Sequence, residues 1–208
     1  MTEIPIPDKD TDLFKLENFG YSIACIQDIS FGSYAMGYLD ACNIILEKME
    51  SDRSFISDTC VFPIIYIFRQ FLEIKLKQII LIGLKGKGAY VKKENLAKTY
   101  GHDIVKSWND AKKCIKSYWH SSQDEIIDIV EKNVYGLQNV FSDSKGMVFR
   151  YPIDYNGNSS FKKDFHLDLK QIKSSIEKIA SFLDGCTEGM IAENEVIADM
   201  KLEFNDLF

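Results

Sequence analysis

The chain has 208 residues, 46% of them hydrophobic and 12% aromatic, enough to bury a sizeable core as one domain over 1–208. Four prolines, twelve glycines and the lack of any internal repeat exclude linker-rich, low-complexity and solenoid architectures. A net charge of −6 excludes a protein that binds nucleic acid over its whole surface.

Residues 1–27 carry Pro5 and Pro7 without a clear period and predict an irregular lead-in. No basic stretch leads into an apolar one there, so no secretory signal is expected. Asp28 or Ser30 caps a first helix, with Tyr34, Tyr38, Ala41, Ile45 and Met49 as its apolar stripe and Ser51-Asp52 at its end.

The most apolar long segment runs from Ser57 to Gly83 and predicts a central helix that the other elements cover. Its longest uncharged run, Thr59 to Phe68, falls short of the ~20 residues that a bilayer requires, so no membrane span is expected. Pro63 belongs near the first turn, with Thr59 or Cys60 as cap, and Gly83 supplies the stop. Arg69 and Glu73 fall among Phe62, Ile65, Leu72, Leu76 and Ile80, whereas Gln70, Lys77 and Gln78 point to other sides. Two charges on an apolar face require partners.

From Leu84 to Gly101 the chain is rich in glycine and lysine, then partly helical. Asp103 caps the next helix, whose stripe is Ile104, Trp108, Ala111, Ile115 and Tyr118. Ser122 with Glu125 forms a capping box before a helix carrying Ile126, Val130, Val134, Leu137 and Phe141. Gly146 to Asn156 breaks the helical period, and Pro152 predicts an extended arm. Asp164 or Asp168 then opens a helix with Leu169, Ile172, Ile176, Ile179 and Leu183 inward, stopped by Gly185. A separate acidic helix is expected within 186–208. The fold class is therefore all-α, a bundle of five or six helices with a short extended arm near 146–156.

Cys25, Cys42, Cys60, Cys114 and Cys186 are odd in number and widely spaced, with no zinc-like pattern. They read as small buried hydrophobes in a reduced cytoplasmic protein, and no metal or cofactor is expected. Charge is uneven along the chain: nine lysines face three acids between Lys85 and Lys116, a local balance of +6. Lys85, Lys87, Lys92, Lys93 and Trp108 are thus candidate nucleic-acid contacts, against the simpler reading of lysines on solvated helix faces.

Arg69 and Glu73, at i and i+4, either hold a phosphate together or form a buried ion pair between helices. His102, at a helix N-terminus, suits a general base or packs over the first turn. Arg150, in the segment FRYP, reaches across a cleft to Glu73 or to an anionic ligand. The glycine–lysine run 83–88 follows a helix and lacks the Gly-Lys-Ser/Thr ending, which excludes a phosphate-binding P-loop.

The combination of FRQFLEIKLK, then GHDIVKSW, then FRYPID resembles bacterial members of the HEPN superfamily, over roughly Pro63 to Asp154. The resemblance implies an all-α bundle of the stress or defence type, RNA or a nucleotide as ligand, and a second copy or an antitoxin-like protein as partner. It also implies convergence of Arg69, Glu73, His102 and Arg150 as catalytic residues of a metal-independent ribonuclease. Active members place an arginine a turn or two before a histidine on one helix; Arg53, Arg69 and Arg150 are not followed in that way. The rival is a non-catalytic helical interaction protein in which the same polar residues hold the fold.

Overall fold

The structure, a computed structural model, describes residues 30–52, 57–89, 93–119, 124–141, 143, 145–161 and 164–205, with positions 7, 11 and 24. The expected lead-in over 1–27 and the Ser122 cap lie outside or almost wholly outside these residues. The described residues form six helices and no strand: α1 (Phe31–Ser51), α2 (Ser57–Gly86), α3 (Lys93–Tyr100), α4 (Ile104–Tyr118), α5 (Asp124–Asn139) and α6 (Leu169–Asn205). The all-α bundle expected from the apolar stripes is the fold.

α2 is the axis, with α1, α4 and α6 packed along it and α5 on the outside of α4. Ile64, Phe71, Leu72, Leu76, Ile79 and Ile80 on α2 are all essentially inaccessible to solvent. Lys75 and Lys77 are buried as well, whereas Gln70 and Gln78 are half-buried, so of the three polar residues expected to point away from the apolar face only Lys77 turns inward. Three helices pack along α2, and each lysine is matched by a carboxylate, Lys75 to Asp184 at 2.6 Å and Lys77 to Glu73 at 2.8 Å. Leu72→Ala is expected to cost about 2–5 kcal/mol in a urea titration, because it opens a cavity at the helix junction. A loss below about 1 kcal/mol would mean that the junction collapses to fill the space.

Both ends of α2 differ from expectation. It begins at Ser57, so Thr59 and Cys60 are helical rather than caps, and Pro63 is exposed inside the helix, with its missing N–H on the solvent side. Gly83 does not stop it. The Ala89 N–H donates to Leu84 O at 3.0 Å and the Gly88 N–H to Lys85 O at 2.8 Å, the paired bonds of a Schellman cap. Gly88 takes the left-handed position that this cap requires, at φ +76°.

Ser30 caps α1, its hydroxyl accepting from the Ser33 N–H at 3.1 Å. The fully buried residues are Ala35, Cys42 and Leu46; Tyr38, Ile45 and Met49 of the expected stripe pack partly buried beside them, and Tyr34 is exposed. Small Ala35 and Cys42 let α1 approach α2 closely. The buried face of α5 is Ile127, Val130 and Val134, and Ile126 is outside. α4 matches its expected cap and stripe, with Ile104, Trp108, Ala111 and Ile115 buried.

The segment expected to be extended is instead compact. Arg150 and Tyr151 donate their N–H groups to Met147 O at 3.0 and 3.1 Å, and Ile153 forms an isolated bridge to Ser159. Edge-on contacts link the rings of Phe141, Phe149 and Phe161 and pin this loop. Asp168 accepts from the Lys170 and Gln171 N–H groups and opens α6. Gly185 does not end that helix, which runs unbroken for 37 residues. Leu183, Cys186, Thr187 and Met190 are buried on both sides of Gly185 and hold the helix to the bundle, outweighing the ~1 kcal/mol that a mid-helix glycine costs.

Candidate functional site

Arg69, Glu73 and Lys77 rise along one line of α2 at successive i, i+4 positions, so their side chains stack. Two loops close over them. The turn between α3 and α4 brings Gly101 and His102, and the loop after α5 brings Asp143.

Arg69 is 1% exposed. Its Nη2 donates to His102 O at 2.8 Å and to Asp143 O at 3.0 Å. Its Nη1 lies 3.7 Å from Glu73 Oε2, and its Nε the same distance from Asp143 Oδ2. These are ion pairs without direct hydrogen bonds. Burial pushes the guanidinium below its ordinary value, against the opposing pull of Asp143 and Glu73. The other oxygen of Asp143 accepts from the Met147 N–H at 2.6 Å.

Glu73 accepts from Lys77 Nζ at 2.8 Å, and Lys77 also donates to Gly101 O at 2.7 Å. His102 Nδ1 lies 3.2 and 3.1 Å from the two Glu73 oxygens. A carboxylate only accepts, so Nδ1 carries a proton, and in the neutral ring Nε2 is then the acceptor. The imidazole is 60% exposed, whereas the carboxylate that holds it is 7% exposed. Two buried cations thus face two buried carboxylates, with one histidine ring emerging to solvent.

The closure is tight at Gly146. A Cβ there would stand 2.6 Å from Arg69 Nη1, and the residue has φ +70°, so the loop passes over the guanidinium only with glycine in place.

Of the four residues expected to converge, Arg69, Glu73 and His102 do so. Arg150 does not join them. It is exposed, its guanidinium carbon 5.5 Å from the Tyr66 ring centroid and 5.3 Å from that of Tyr151. The compact turn replaces the reach of an extended arm, and Glu73 takes its cation from Lys77 at 2.8 Å instead. Lys77 and Asp143 are the members that sequence reasoning missed. The i+4 step from Glu73 pointed to Lys77, whereas nothing local to Asp143 marks it as a partner of Arg69.

Trp108 is fully buried and donates Nε1 to Glu131 Oε2 at 2.7 Å, so it presents no face to a nucleobase. Tyr100 is buried too; desolvation and its hydrogen bond to Asp110 push the phenol up to about 12. Lys85, Lys87 and Lys93 are exposed, whereas Lys92 and Tyr90 lie outside the described residues. Cys42, Cys114 and Cys186 are buried, and desolvation raises each thiol above its ordinary value, to about 12 for Cys42. Among the described residues no group of three His, Cys, Asp or Glu is placed to hold a metal ion, and no helix is long and apolar enough to cross a membrane. No protein-family model, curated protein or solved structure matches the chain.

Proposed function

We propose that the chain is a HEPN-like RNA- or nucleotide-binding protein of the bacterial stress or defence type, with His102 as its chemically available group. The observation that carries this reading is the exposed imidazole held at Nδ1 by the buried Glu73 carboxylate. A ring fixed in that way offers Nε2 outward as a proton acceptor. In metal-independent RNA cleavage Nε2 takes the 2′-OH proton, the 2′ oxygen bonds to phosphorus to close a 2′,3′-cyclic phosphate, and the bond from phosphorus to the 5′ oxygen breaks as that oxygen takes a proton from water. Arg150 and the exposed Lys85, Lys87 and Lys93 are the cations available to a phosphate chain, whereas the closed position of Arg69 assigns it to orienting the loop that carries His102.

A second reading is favoured by one specific observation: Arg69, Glu73, Lys77 and Asp143 are all buried and mutually matched. On that reading the network is structural, and the protein acts by binding a second copy or a protein partner without catalysis.

The two separate in one experiment. Single-stranded RNA is titrated at low and high salt, with cleavage followed on a gel. Binding whose affinity falls steeply with salt, and cleavage lost in His102→Ala while binding persists, support the catalytic reading. Binding without cleavage moves the protein to a non-catalytic RNA binder. Absence of binding at low salt removes the RNA reading and leaves the interaction protein.

A further inference from the structure

A cavity of about 620 Å³ lies away from the His102 site, between the start of α1, the end of α2 and the last turns of α6. Its walls are largely aliphatic, with Leu81 and Ile82 from α2, Ile197 and Ala198 from α6, and Phe31 at the first position of α1. Three lysines line it: Lys85 beside the Schellman cap, Lys93 opening α3 and Lys201 on α6. All three are exposed, and among the described residues none is held in an ion pair. Glu195 is the opposing charge among the described lining residues, so the lining keeps a positive excess.

The cavity is framed by fixed contacts. Asn194 donates Nδ2 to Ile82 O at 3.3 Å and accepts from the Tyr118 hydroxyl at 2.6 Å, which ties α6 to α2 and α4 beside the apolar walls. The amides of the first turn of α1 bring the positive end of a 21-residue helix to the same space, since Ser30, Phe31 and Gly32 all line it.

We propose that this cavity binds a single anionic amphiphile, an aliphatic chain ending in a carboxylate or a phosphate ester. The chain lies against Leu81, Ile82 and Ile197, where its burial is driven by the hydrophobic effect. The head group meets Lys85, Lys93 and Lys201 by charge-assisted hydrogen bonds. A nucleotide fits this lining less well, because Phe31 is the one aromatic ring among the described lining residues and most of the wall is aliphatic. A cavity of this size takes one molecule rather than a membrane surface, so the ligand is a free amphiphile.

The test is calorimetric titration of the full chain with dodecanoate below its micelle concentration, beside dodecyltrimethylammonium, AMP and anionic phosphatidylglycerol vesicles. Saturable binding of one dodecanoate per chain is expected, with weaker or no response to the other three. Lys85→Gln with Lys93→Gln and Lys201→Gln together should weaken dodecanoate by roughly tenfold or more, the loss of at least one charge-assisted hydrogen bond. Ala198→Trp, on an exposed residue and filling the space, should abolish it with the helical circular dichroism unchanged. Failure of dodecanoate to saturate, equal binding of the cationic amphiphile, tighter binding of AMP or of vesicles, or indifference to both variants would each overturn the proposal. The AMP arm is repeated in Ala198→Trp, and only AMP binding that this variant removes counts against the proposal, so nucleotide binding at the His102 site is read separately.

Discussion

Glu73→Leu is expected to lower stability by about 3–5 kcal/mol, the range for breaking a buried charge pair by removing one member. Glu73 receives Lys77 at 2.8 Å and faces Arg69 at 3.7 Å, inside a region that water does not reach. Its loss leaves Lys77, 6% exposed, with the Gly101 carbonyl as its bonded partner among the described residues, and leaves Asp143 as the carboxylate paired with Arg69. Two positive charges would then face one negative charge in a low-dielectric interior. Lys77→Met restores the balance, so Glu73→Leu should cost markedly less in that background than in the wild-type chain. A urea-monitored double-mutant cycle that closes additively, within ~0.5 kcal/mol, would show that the two residues do not share a network.

Trp108→Ala should cost about 3–5 kcal/mol, comparable to the charge-pair loss but by a different route. The ring is the largest fully buried side chain and lies on α4, which packs against α2. Truncation removes its apolar contacts and leaves Glu131 without the donor that it holds at 2.7 Å. Lys112 still bonds the same carboxylate, so the cost is chiefly that of the cavity. Thermal unfolding followed at 222 nm gives the value. A cost under about 1 kcal/mol would place the ring at the surface, where it is free to stack on a base.

What could be read from sequence follows from how each element is buried. α4 has one apolar stripe, one wet face and an aspartate at its start, so its cap and core residues followed directly from spacing. α2 has only a narrow, half-buried side, along Ile67, Gln70, Ile74 and Gln78. A helical wheel sorts its residues by polarity and places Lys77 outside, but a helix packed on most of its circumference buries charges and matches them across space. The stripe of α1 flanks the seam rather than forming it: Tyr38, Ile45 and Met49 pack at its edge, whereas close approach to α2 selects the small Ala35 and Cys42 for the centre. Gly83 and Gly185 sit where composition predicts stops, yet neither adopts positive φ, and Gly88 does. Local composition marks where a helix can end; tertiary packing decides whether it does.

At the candidate site, the i, i+4 relation of Arg69 and Glu73 and the place of His102 before α4 were legible because they depend on local geometry. The course of the chain that brings Asp143 to Arg69 and leaves Arg150 outside was not. It depends on how a non-helical loop turns, and that is set by contacts among Phe141, Phe149 and Phe161 scattered over the sequence.

The single Nη2 of Arg69 bonds carbonyls at His102 and Asp143, 33 and 74 positions further along the chain. Loops so distant in sequence would ordinarily fray on separate clocks, each at its own local free energy. A shared latch joins them into one opening unit: releasing the guanidinium exposes both backbones, and a loop that stays docked restrains the other. The backbone at His102 is therefore coupled through Arg69 to a glycine-bearing loop far along the chain, while Glu73 holds its ring from below.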